Sequence, residues 1–199
     1  MKNENITLAH GNGGSESRSL VEDVIFKAFS NEILKKSEDA AIIDNGKLAM
    51  TTDSFTVSPL FFAGGDIGKL SICGTCNDLA MMGAKPTYLS VAFIIEEGFC
   101  LNEFKKIIES MQKEIAKNGA MVVCGDTKVV PKGNADKIFI NTTGIGVVEC
   151  EGISASKLSS DVDIIVSRDI GTHGASIFAS REGIGLSTDL KSDCESLYP

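Results

Sequence analysis

Apolar residues recur along this chain in two rhythms, one of period near four and one that runs or alternates over strand lengths. The clearest helical stripe is Phe104, Ile107, Ile108, Met111 and Ile115, which predicts a helix from Leu101 to Asn118, stopped by Gly119. A second amphipathic helix is predicted behind the loop Gly11-Asn-Gly-Gly-Ser15, with Leu20, Val21, Val24, Ile25 and Phe29 on one face. Asn5 to His10 reads as a short extended segment ahead of it. Gly64-Gly65-Asp66 opens a further helix through about Met82. Strands are predicted on both sides of Asn45-Gly46, a strong hairpin signal. Three more are predicted over 86–96, 120–130 and 137–148. After Glu149 the pattern thins to one strand, Asp161 to Ser167, and one short helix, His173 to Arg181. These cannot bury a core alone. Residues 1–150 therefore read as one domain, and 151–199 as the incomplete start of a second.

Composition narrows the class. With 199 residues, 43% hydrophobic and 23% charged, the chain has the balance of a folded domain rather than a disordered one. A net charge of −8, with no basic stripe, disfavours a nucleic-acid partner. The longest apolar runs are strand-length, short of a membrane span, and Met1 to Ile6 has no signal-peptide character. A cytoplasmic protein with six free thiols is expected.

Candidate chemistry centres on Ala120 to Val130, an apolar run interrupted by Gly125-Asp126 and Lys128. Read as a buried strand, it would need a reason for the glycine, such as a backbone kink or a close ligand, and a partner for the carboxylate. Asp53, at the end of the Met50-Thr-Thr-Asp strand, and Asp78, in the helical run Cys76-Asn77-Asp78, repeat the theme. Each alone could be a turn or cap residue. Together with Lys69 and Lys128 they suit magnesium–nucleotide chemistry, in which carboxylates hold the hard cation and lysines offset phosphate charge. Gly11 to Gly14 ahead of a helix suits an anion or is a plain turn. The Gly68-Lys69 pair is not a P-loop, because Ala63 and Leu70 stand where that motif requires glycine and Ser/Thr. Cys73-Gly-Thr-Cys76 has no second cysteine pair to close a zinc site, so these thiols read as core packing.

His10-Gly-Asn-Gly-Gly14, Thr51-Thr-Asp-Ser-Phe55, Gly65-Asp-Ile-Gly-Lys69, Gly74-Thr-Cys-Asn-Asp-Leu-Ala80 and Gly125-Asp-Thr-Lys-Val-Val130, in that order, resemble the HypE family of hydrogenase maturation proteins. That family lies within the AIR-synthase-like (PurM) superfamily. Ile170 to Ala175, Arg181-Glu-Gly183 and Ser192-Asp-Cys-Glu-Ser-Leu197 resemble the opening of its second domain. The resemblance implies an α+β fold, with a mixed or antiparallel sheet carrying helices on one face and dimerising into a barrel. It implies ATP and Mg²⁺ in clefts by the dimer interface. Asp53, Asp78 and Asp126 would hold magnesium. Asn12, Gly13, Gly14, Asp53, Lys69, Asn77, Asp78 and Asp126 would contact ATP, with His10, Lys128 and Asp126 near the transferred group.

The implied reaction is ATP-dependent dehydration of a carbamoyl group on the protein's own C-terminal cysteine. The thiocyanate product supplies cyanide to the iron of [NiFe]-hydrogenase. Implied partners are a carbamoyltransferase maturation protein like HypF and a scaffold complex like HypC–HypD. Cys194 lies in the Ser-Asp-Cys motif rather than in a tail, so nucleotide binding and dimerisation are the activities expected of this stretch. Two alternatives remain: another enzyme of the superfamily, such as a selenophosphate synthetase or thiamine-phosphate kinase, or a non-catalytic dimerisation and docking module. The absence of cysteine before Cys73 weighs against the selenophosphate synthetase.

Overall fold

The structure, a computed structural model, describes residues 5–166, 169–181 and 189–198. The N-terminal helical segment comprises α1 (Ser15–Leu20), a π-helical stretch (Val21–Phe26) and α2 (Lys27–Phe29). Next come β1 (Ala41–Ile43), β2 (Leu48–Phe55), the short hairpin β3 (Phe61–Phe62) and β4 (Gly65–Asp66), and α3 (Ile67–Met81). β5 (Ala84–Glu96), α4 (Leu101–Asn118), β6 (Met121–Val130), β7 (Ile138–Val148) and α5 (Thr172–Ser180) complete the order.

The main sheet runs β1-β2-β7-β5-β6. β6 alone is parallel to its neighbour, β5, and α4 supplies the crossover that a parallel pair requires. The α+β class and the mixed sheet with helices on one face are as expected. α3 begins where Asp66 caps it, its Oδ1 accepting from the Gly68 and Lys69 amides at 2.7 and 3.1 Å. Ile67, Ile72 and Cys76 of α3 meet Ile107 and Met111 of α4 and Leu89, Val91, Ile138 and Ile140 of the sheet in one buried core. The α4 boundaries are those the stripe predicts, and Gly119 closes the helix at φ 67°. The exception is Ile108, which stays exposed. Cys73 and Cys76 are buried free thiols on α3, as read, and burial pushes Cys76 up to about 12. Among the described residues, no helix is long and apolar enough to cross a membrane.

Four expectations are corrected. The β1–β2 hairpin forms, but Ile43 pairs with Leu48, so the loop takes in Asp44 to Lys47 around Asn45-Gly46. β6 is the exposed edge of the sheet rather than a buried strand, because α4 leaves its helix-side positions uncovered. Gly125 has a reason internal to the sheet, since a Cβ there would lie 2.2 Å from the Val91 carbonyl oxygen, beside the irregularity between Leu89 and Ser90. Residues 162–166 form no strand and leave Ile164 and Ile165 exposed; Ser167 lies outside the described residues. Glu182 and Gly183 of the Arg181-Glu-Gly motif also lie outside them.

Two surfaces remain bare. The N-terminal helical stripe forms, yet no residue of it is buried, and Val24, Ile25 and Phe29 are exposed. The sheet face opposite α3 carries Met50, Tyr88, Ile94, Met121 and Val147, all exposed. The C-terminal stretch packs on the main body. Ser192 N–H donates to the Ala63 carbonyl at 2.8 Å, Ile177 of α5 is buried, and His173 meets Phe62 edge-on at 5.3 Å.

Candidate functional site

Asp53 sits in β2 opposite Thr142 of β7, in the row of side chains that faces the helices. Asp78 comes to it from α3. The two carboxylates are close enough to hydrogen-bond and to repel, and the environment holds both above the ordinary carboxylate range. For Asp53 the main cause is burial. Asp78 is pushed up to about 6, first by burial and then by the Asp53 charge, with a further contribution from Asp39. The Thr51 hydroxyl opposes this, lying 3.0 Å from Asp78 Oδ2. Gly74 clears the approach: a Cβ there would meet the Phe55 ring at 2.8 Å and come within 3.7 Å of Asp53 Oδ2.

Two oxygen donors that repel each other at the end of a strand fit a hard divalent cation. Mg²⁺ is commonly held by one or two carboxylates, with phosphates and water completing its shell. Among the described residues, no group of three His, Cys, Asp or Glu side chains is arranged to hold a metal ion. Asp126 therefore does not join Asp53 and Asp78 within one chain. The helix-facing row runs Asp53–Thr142–Val91–Gly125 across the sheet, whereas Asp126 lies in the next row, with Ala92, Asn141 and Ser54 on the open face. Three inter-strand steps separate the two carboxylate strands, about 14 Å. Asp126 instead pairs with Lys128 at 2.7 Å on the exposed edge, and this bond holds its carboxyl below the usual range.

The remaining predicted residues are placed as follows. His10 Nδ1 accepts the Thr7 amide at 3.1 Å, and Asn12 Oδ1 accepts the Gly14 amide at 2.9 Å. The 10–14 loop, with Gly13 at φ 77°, is thus held by hydrogen bonds within itself and to Thr7. Lys69 occupies the first turn of α3 and donates to the Gly64 carbonyl at 3.1 Å. It lies about 13 Å along the helix axis from Asp78. Asn77, adjacent to Asp78, reaches the C-terminal stretch, donating to Glu195 O at 3.0 Å and accepting from Leu197 N at 2.8 Å.

Sequence reasoning did not find Thr51 or Asn141. Asn141 Nδ2 donates to the Asp53 carbonyl at 2.9 Å and to Ser54 Oγ at 3.1 Å, fixing the β2 backbone at the site. The signal for Thr51 was present in the alternation of β2, which puts residues 49, 51 and 53 on one face.

A model of the AIR synthase related protein family, N-terminal domain, matches residues 37–148. The carbamoyl dehydratase HypE of Escherichia coli (strain K12) is 44% identical over 203 residues, covering 98% of this chain and 60% of that protein. A crystal structure of a HypE–HypF complex aligns at a TM-score of 0.83 with 49% identity, over 90% of this chain and 59% of that one. A crystal structure of hydrogenase maturation protein HypE in complex with ATP aligns at 0.66 with 43% identity, over 98% of this chain and 58% of that one. The chain thus spans about three fifths of the length of the curated relatives it matches.

Proposed function

Because the chain belongs to the AIR synthase related family, through the N-terminal domain matched over residues 37–148, we propose that it is the nucleotide-binding part of a carbamoyl dehydratase. In the whole protein a carbamoyl group on a C-terminal cysteine thiol would be phosphorylated on oxygen by ATP. Loss of inorganic phosphate and a proton would then leave a thiocyanate. This supplies the cyanide ligands of the [NiFe]-hydrogenase iron. The observation that carries the reading is the Asp53–Asp78 pair, partly buried and raised in proton affinity, which a magnesium ion would relieve.

Asp53 and Asp78 would hold Mg²⁺ from one chain, and the ion would shield phosphate charge. Within one chain Asp126 and Lys128 lie on the open face of the β6 edge, apart from that pair, and His10, Asn12, Gly13 and Gly14 belong to a loop bonded within itself. A second copy would bring these residues to the pair. The exposed β6 edge and the bare apolar sheet face support such a dimer. Lys69 and Asn77 would serve from α3, Lys69 toward the phosphates and Asn77 beside the nucleotide. We assign residues 1–150 to the nucleotide-binding and dimerisation domain, and 151–199 to the opening of the second. A carbamoyltransferase like HypF would deliver the carbamoyl group, and a scaffold like HypC–HypD would receive cyanide, in the cytoplasm.

Calorimetric titration of MgATP tests this reading. Binding that vanishes in EDTA and in Asp78→Asn is expected. A folded parent chain indifferent to MgATP would favour a non-catalytic docking module.

A further inference from the structure

We propose that Thr51 is a positioning residue of the candidate cation site, holding Asp78 in register with Asp53; the inference rests on the magnesium–nucleotide reading above. The two carboxylates belong to different elements, a strand and a helix, so their spacing depends on what links α3 to β2. The Thr51 hydroxyl is such a link. It lies 3.0 Å from Asp78 Oδ2 and 3.1 Å from the Asp39 carbonyl oxygen, at a position 9% exposed. Among the described residues it is the one neutral donor on the Asp78 carboxylate.

A hydroxyl has a single hydrogen, and the charged oxygen is the stronger acceptor. With Asp78 ionised, the hydrogen goes to Oδ2, which is thereby committed to the frame. Oδ1, which does not take that bond, would be available to a cation. Without that donor, Asp78 would turn away from its like-charged neighbour, and a cation would meet one fixed carboxylate instead of two. The Asp39 carbonyl, in the approach to β1, is the alternative acceptor for the same hydroxyl at 3.1 Å.

Thr51→Val keeps the shape and removes the hydroxyl, whereas Thr51→Ser keeps the hydroxyl and removes a methyl. MgATP affinity by calorimetry, with circular dichroism and thermal melting in EDTA to establish folding, separates the outcomes. We expect Thr51→Val to bind about tenfold more weakly or worse, as loss of a hydrogen bond to a charged group entails. Thr51→Ser should stay within about threefold of the parent, since the donor is retained. Parental affinity in Thr51→Val while Asp78→Asn fails to bind would overturn the role of Thr51 and leave the site intact. A folded Thr51→Ser as weak as Thr51→Val would also overturn it, pointing to packing. Parental affinity in Asp78→Asn would instead remove the site itself, and the role of Thr51 with it.

Discussion

Asp78 concentrates the electrostatic cost of the site in a single carboxyl group. Its pKa is raised to about 6 from 3.8, by burial first and by Asp53 second. A carboxyl raised on folding binds more protons in the folded state, so its contribution to stability falls as pH rises from about 4 through about 6. Asp78→Asn should therefore raise the melting temperature of the nucleotide-free protein at pH 7 to 8, while removing cation binding. A lower melting temperature would show that the carboxylate is stabilising. Because protons and cation compete for the same oxygens, MgATP affinity should rise between pH 5 and 7, which titrations at the two pH values would measure. Asp126 behaves differently. Exposed and ion-paired with Lys128, it should tolerate Asn with little change in melting temperature. Asp126 stood out in the sequence because its surroundings are apolar, but the burial expected of it is absent within one chain, where β6 is exposed. Thr51 was not singled out, because a threonine in a strand is ordinary until its neighbour across the helix is known.

At the scale of elements, legibility followed what each element packs against. α4 could be read from its stripe because it faces the core on one side and water on the other. α3 lies between the sheet and α4 with eight buried residues, so its helical period is blurred and its start was legible chiefly through Asp66. β6 misled, because an apolar run is written the same way in a central strand and in an exposed edge. Its glycine gives a test. Gly125→Ala places a methyl against the Val91 carbonyl, and should cost about 1–3 kcal/mol in denaturant unfolding, as overpacking does. An unchanged midpoint would mean that the edge yields. Ile107→Ala, at a fully buried position of α4, should cost about 2–5 kcal/mol, and Ile108→Ala much less.

At the scale of the whole molecule, the described residues leave one face of the main sheet uncovered. An open sheet face with exposed Met50, Tyr88, Ile94 and Val147 is the kind of surface that soluble domains cover. Ile94→Asp on that face should give a folded monomer where the parent is a dimer, as light scattering would report; a parent chain that is already monomeric would contradict the assembly. In the proposed dimer, two copies of the chain together complete each nucleotide site. This is tested most directly by mixing Asp78→Asn with Asp126→Asn, each unable to bind MgATP alone, and titrating the exchanged mixture with MgATP. If one chain supplies Asp78 and the other Asp126, half of the dimers after random exchange are mixed, and each of these has one intact site of two. About a quarter of the parental binding capacity should then return. No return of binding, with mixed dimers demonstrated by mass, would contradict the account and confine the site to one chain.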